Sequence, residues 1–288
     1  MYAKVDGQAI FFDVVGAKLG ISGPKLIEKP TVIVMHGGPG FDHAGMRPDF
    51  DQLADIAQVI YIDHRGNGRS VPSDPATWTL DRWGDDVKGL CDALGIVKPI
   101  VFGQSFGGMV AQSYAIRHPG HAAGIVISSS AARMDFPAAY AAFERKGGRE
   151  ARAIAERFWS TLSDADQVEY ARVCMPLYLT HKPRDPDQMA RATRRLEVTR
   201  HFSKSGGEIH RMDFRPRLKD VRGVAALVIG GIEDPITPPH LSEEIAAHLP
   251  KGSAELRLFA GCGHGAYRDE PQTVWPVVRA FIERAGAA

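Results

Sequence analysis

Two patterns alternate along the chain: short runs of β-branched and apolar residues, and longer stretches in which apolar residues recur every three or four positions. The short runs are Thr31–Met35, 58–63, 99–103, Gly124–Ser128, 225–230 and 255–259. Nearly all are apolar without alternation, as parallel strands covered on both faces require. Between them, Leu80–Leu94, 107–118, 241–249 and 271–285 carry the helical period, and the Pro119 and Pro250 turns stop two of these helices. Ahead of them, Tyr2–Val5 and 9–15 flank the Asp6, Gly7 pair, a hairpin signature. The pattern predicts an α/β fold: a mostly parallel central sheet with helices on both faces.

One stretch breaks the alternation. From about 131 to 220 no strand-like run occurs, and the text is helical and charge-rich, as in FERKGGREARAIAERFW and DQMARATRRLEVTRHF. Residues 1–130 and 221–288 are therefore expected to form the core, with 131–220 as a helical insertion between two core strands. Such an insertion lies over the carboxyl ends of the strands, where open α/β sheets bind ligands, and acts as a cap. The SKSGG stretch at 203–207 is expected to be a flexible turn within it.

Composition narrows the function. With 288 residues, 44% hydrophobic, 24% charged and a net charge of +1, the chain is that of a globular protein and lacks the basic excess of a nucleic-acid binder. Cys91, Cys174 and Cys262 are widely separated and form no zinc-binding spacing, which predicts a reduced, cytoplasmic setting. The first sixteen residues hold a short apolar run interrupted by Asp13, neither a signal peptide nor a membrane span. No cofactor, metal, nucleic acid or membrane partner is expected, and no signal of oligomeric state is present. His118 and His121 have ligand-like spacing but span a Pro–Gly turn with no carboxylate or Cys partner, so no metal is expected there.

The chemistry concentrates at strand ends. In GQSFGG, 103–108, Ser105 stands between a strand and a helix, the setting of a nucleophile elbow, with glycines on either side where a sharp turn leaves no room for Cβ atoms. A serine hydroxyl needs a base. Of eleven histidines, His264 is placed for this, in the Gly-rich loop after the last predicted strand. The imidazole needs a carboxylate to fix its tautomer, and Asp234 follows the 225–230 run in a Gly- and Pro-rich turn, with Glu233 as a neighbouring competitor. An oxyanion site is expected from the backbone N–H groups of Phe106 and of Gly38 in the HGGPG loop, 36–40, with cis geometry available at the Gly38–Pro39 bond. Gly37, Pro39 and Gln104 border the same region and are expected to touch substrate. His36, Asp63 and Arg65 are assigned structural roles.

Together, HGGPG at 36–40, DHRGNGRS at 63–70, GQSFGG at 103–108, the Asp234 turn and His264 resemble the α/β-hydrolase superfamily, and within it the proline iminopeptidase (prolyl aminopeptidase) group. The resemblance implies a cofactor-free serine hydrolase that removes an N-terminal residue, often proline, from short peptides through an acyl-enzyme. Many members read GGSWGG at the elbow, where this chain has GQSFGG, a form shared with esterases. Members bind the substrate's amino terminus with glutamates; here Pro235 follows Asp234, so that role falls to Glu233, Glu197 or Glu208. The arginines of 191–217 read as a solvated helix face. Turned inward, they would suit an anionic ester, lactone or N-acyl amide. A hydrolase-fold receptor for a small ligand is the third class.

Overall fold

Every position of β5 (Thr31–Met35) is buried, with Val32 and Val34 in one apolar cluster and Ile33 and Met35 in another. That double burial explains the unbroken apolar run: each face of the strand meets a helical layer. The computed structural model describes residues 1–287; Ala288, the last residue of the segment read as core, lies outside the described residues.

Besides β5, the main sheet contains β1 (Tyr2–Val5), β2 (Gln8–Val15), β6 (Gln58–Ile62), β7 (Ile100–Gln104), β8 (Gly124–Ser128), β9 (Ala225–Gly231) and β10 (Ala254–Phe259), in the order β1-β2-β6-β5-β7-β8-β9-β10. The first hairpin and the β2·β6 pair are antiparallel, and all other pairs are parallel. Helices α1 (Leu80–Leu94) and α2 (Phe106–Arg117) pack into one cluster with Ile33, Val101 and Ile125, while the C-terminal helix packs with Val32, Phe102 and Val126 on the other face. The fold is the α/β architecture expected from the pattern.

The strand order decides where the site lies. From β5 the chain crosses to β6 on one side, and from β7 to β8 on the other, so β5 and β7 are neighbours whose outgoing loops diverge. This is a topological switch point, and the crevice between those loops is where open α/β sheets bind ligands. The HGGPG loop leaves β5 and Ser105 leaves β7, so both open into it.

Between β8 and β9 run the helices α3 (Phe136–Thr161), α4 (Asp164–Val173), α5 (Leu196–Ser203), α6 (Glu208–Arg211) and α7 (Arg215–Leu218). The first two share an apolar cluster of their own, with Phe143, Ile154, Phe158 and Tyr170, joined by Ile236 from the loop after β9. Three short or terminal helices complete the chain: α8 (Pro239–His248), α9 (Ala266–Asp269) and α10 (Pro271–Gly286).

The structure adds a two-stranded ribbon absent from the sequence reading, β3 (Leu19–Ser22) and β4 (Lys25–Glu28), paired antiparallel across a Gly23 turn. Its apolar residues are exposed, Ile21 at 83% and Leu26 at 69%, so burial gives no alternation to detect. Elsewhere the shifts are one or two residues, the largest at the start of the helix expected at 241–249, which begins at Pro239. Gln104 is the last residue of β7, paired with Ser128, and Asp63 falls just beyond β6.

Candidate active site

Ser105 joins β7 to α2 with φ 55° and ψ −115°. For a residue with a Cβ this conformation costs on the order of 1–3 kcal/mol, and its surroundings must enforce it. They do so by contact: a Cβ on Gly103 would collide with the Gly107 carbonyl, and one on Gly107 with the carbonyls of Met35 and His36. The Ser105 amide donates to the Ser128 carbonyl at 2.8 Å, and Ser130 Oγ donates to the Ser105 carbonyl at 2.8 Å. The hydroxyl is thereby raised at the head of α2, where helix N–H groups lack intrahelical partners. The Phe106 ring is spent in the core against Trp83, His64 and Phe202, leaving its N–H at the first turn of the helix.

Asp234 and His264 come together across the loops after β9 and β10. Asp234 is buried, and its Oδ1 accepts the N–H groups of Ile236 and Thr237, both at 2.9 Å. This turns Oδ2 toward His264 Nδ1, at 2.8 Å, and toward the Thr237 hydroxyl, at 2.7 Å. A carboxylate only accepts, so the proton sits on Nδ1 and Nε2 is left as a free base. The His264 backbone is fixed as well: its carbonyl accepts the Gln104 side-chain amide at 2.6 Å, and its N–H donates to the Tyr178 carbonyl at 2.6 Å. Ser105 Oγ makes no hydrogen bond among the described residues, and such contacts commonly tighten only when substrate binds.

The HGGPG loop lies against the elbow. A Cβ on Gly37 would stand 3.4 Å from Ser105 Cβ, and the Gly38–Pro39 bond is cis. His36 Nδ1 donates to the Gly37 carbonyl at 2.7 Å, and its Nε2 accepts the His64 N–H at 3.2 Å. Because the peptide unit is planar, fixing the Gly37 carbonyl also fixes the Gly38 N–H, which points the opposite way. Burial keeps the His36 imidazole neutral, its pKa below the usual value despite the nearby Asp63 charge, so this donor and acceptor pattern is stable. The DHRGNGRS loop braces the arrangement. Asn67 Oδ1 accepts the Gly40 N–H at 2.6 Å, Asp63 accepts from the His43 N–H and ring and from the Arg69 N–H, and Arg65 forms a buried bidentate pair with Asp86.

The remaining expected substrate contacts fall differently. Gln104 is buried and its amide nitrogen donates to the His264 carbonyl, while its Oε1 has no partner among the described residues. Glu197 and Glu233 are exposed. Glu208 Oε2 accepts the Leu80 N–H at 2.9 Å, capping α1. Burial raises its pKa, partly offset by that hydrogen bond. The arginines of the 191–217 stretch face solvent or are already bonded: Arg191 to Asp185, Arg200 to Asp164, Arg215 to Asp213 and Glu244, and Arg195 to the Gly68 and Ser70 carbonyls. His118 bonds Asp85, and His121 bonds the Tyr114 hydroxyl.

Sequence reading passed over several side chains that shape these loops: Thr237, Ser130, Tyr178, Thr199 and Asp269. Thr237 is three residues after Asp234, a spacing at which a hydroxyl reaches back to a carboxylate, so a turn signal existed for it. Thr199 Oγ1 donates to the Pro39 carbonyl at 2.6 Å across 160 residues, and no local pattern announces that contact.

A sequence profile described as alpha/beta hydrolase fold matches residues 30–271. A Lactobacillus delbrueckii subsp. lactis proline iminopeptidase is 28% identical over 260 residues, covering 84% of this chain and 86% of that protein. A Caulobacter vibrioides protein bearing the name carbamate hydrolase RutD is 26% identical over 265 residues, covering 88% and 91%. Among solved structures, a Mycobacterium smegmatis proline iminopeptidase superposes with a TM-score of 0.77 over 100% of this chain and 98% of that one, at 23% identity, a likeness of fold.

Proposed function

The chain belongs to the alpha/beta hydrolase fold family, and from that premise we propose that it is a cofactor-free serine hydrolase working through an acyl-enzyme. Ser105 attacks a substrate carbonyl while His264 Nε2 takes its proton, and Asp234 stabilises the imidazolium. The N–H groups of Phe106 and Gly38 receive the oxyanion. His264 then returns the proton to the leaving group, and water repeats the sequence to free the acid. The observation that carries this proposal is the forced backbone of Ser105 at the switch point, with an Asp234-bound imidazole on the neighbouring loop.

For the substrate we propose proline iminopeptidase-like removal of an N-terminal residue from small peptides, with residues 131–220 as a cap over the cleft. The HGGPG loop and the similarity to proline iminopeptidases support it. The second reading, a carboxylesterase, lactonase or N-acyl amide hydrolase, is favoured by the glutamates. Glu208 is committed to Leu80 and the other two face solvent, so none is held ready for a substrate ammonium group. Parallel turnover of a prolyl arylamide, a short acyl aryl ester and a lactone tests the choice. The peptide reading expects the arylamide to have the highest kcat/KM, and ester turnover without arylamide turnover would transfer the assignment to the second reading. Ligand binding with no product from any acyl substrate would indicate a receptor.

A further inference from the structure

Asp269 lies five residues beyond His264 and has no part in the chemistry above, yet its carboxylate is 1% exposed and faces the His264 loop. Its Oδ2 accepts the Gly263 N–H at 2.7 Å. Its Oδ1 accepts the N–H groups of Thr180 and His181, at 2.9 and 3.0 Å. Gly263 immediately precedes the proposed base, while Thr180 and His181 belong to the segment after α4. One carboxylate thus clamps the two segments together.

Neighbouring contacts run the same way. His264 N–H donates to the Tyr178 carbonyl at 2.6 Å, the Thr180 hydroxyl bonds the Gly261 carbonyl, and the Tyr178 ring stands edge-on to the His264 imidazole with centroids 5.1 Å apart. The approach is so close that a Cβ on Gly263 would collide with the Tyr178 carbonyl. Backbone N–H groups buried without a partner are costly, so three of them converging on one carboxylate fix the local geometry firmly.

We propose that Asp269 is a positioning residue: it sets the height and direction of the His264 loop by locking it to residues 178–181, making the inserted segment part of the frame that aims the base at Ser105. This rests on the serine hydrolase reading above. Replacing the carboxylate by an amide places an N–H where one backbone donor now points. The loop must then shift, and displacement of a reacting group by about 1 Å costs on the order of 100-fold.

The test compares wild type, Asp269→Asn, Asp269→Glu and Ser105→Ala, using the rate of fluorophosphonate labelling and the kcat and KM for a short acyl aryl ester, normalised to folded protein. For Asp269→Asn the labelling rate and kcat are expected to fall together by about 10- to 100-fold, with KM within about threefold of wild type. A merely structural role would lower the thermal midpoint and leave both rates per folded molecule unchanged, which overturns the proposal. A raised KM with unchanged kcat overturns it too, because Asp269 would then act on substrate binding. If Asp269→Asn does not accumulate as folded protein, Asp269→Glu, which keeps the charge and lengthens the side chain by one methylene, carries the same expectation. Wild type labelled at Ser105 with equally fast labelling of the variant sinks Asp269 alone. Wild type unlabelled at Ser105 sinks the hydrolase reading and Asp269 with it.

Discussion

Asp234 Oδ2 lies 2.8 Å from His264 Nδ1, while the other Asp234 oxygen is filled by two backbone N–H groups. The carboxylate therefore cannot rotate away, and the imidazole has one tautomer. In Asp234→Asn the side-chain amide can donate toward Nδ1, so the proton moves to Nε2 and the base is lost. An expected fall in kcat of about 10⁴, with the fold retained by circular dichroism, follows from the wrong tautomer. A loss of less than tenfold would contradict the assignment.

Gly103 tests the strain at the elbow. A Cβ there meets the backbone carbonyl of Gly107, which cannot rotate aside as a side chain can. Gly103→Ala is expected to destabilise the protein by about 3 kcal/mol, at the upper end of overpacking costs, and to abolish labelling of Ser105. Urea unfolding beside wild type measures the first effect, and an unchanged midpoint would show the turn to be looser than described.

Glu208 joins the inserted segment to the core through the Leu80 N–H. Glu208→Ala is expected to cost about 1 kcal/mol, as for a lost helix cap. Glu208→Gln keeps an acceptor and should cost less. Burial raises the Glu208 pKa, so the ionised form disfavours folding, and this penalty grows as pH rises from the unfolded value of about 4.3 through the folded one. The cost of Glu208→Gln relative to wild type should therefore be smaller at pH 7 than at pH 4. Thermal midpoints of wild type and both variants at the two pH values provide the check.

His36 and His64 contribute to the pH dependence of stability. Burial holds the pKa of both below the usual value, and the ring nitrogens of His64 have no partner among the described residues. Unfolded, each titrates near about 6.5, so below that pH the unfolded chain binds more protons. Their contribution is complete above about pH 6.5 and is lost as pH falls toward the folded values, by up to about 1.4 kcal/mol per pH unit for each. Denaturant midpoints should drop between pH 7 and pH 5.5, and His64→Leu should make that drop shallower. An equally steep drop in the variant would remove His64 from the account.

The amino-acid sequence by itself determined the strands that are buried on both faces, since a run such as Val32–Met35 has no polar position to place in water. It also determined the elbow, because the glycines around Ser105 mark a turn that rejects side chains and Gly has few other reasons to cluster there. It left the exposed β3–β4 ribbon undetected, because an unburied strand imposes no periodicity. The uses of Gln104, Glu208, Thr199 and Asp269 were decided only by the tertiary structure. Their partners lie 160, 128, 160 and about 88 residues away in the cases of His264, Leu80, Pro39 and His181, and a hydrogen bond is specified by where two groups meet in space. Residue type supplied donors and acceptors, and the order of strands around β5 and β7 chose which of them would face one another.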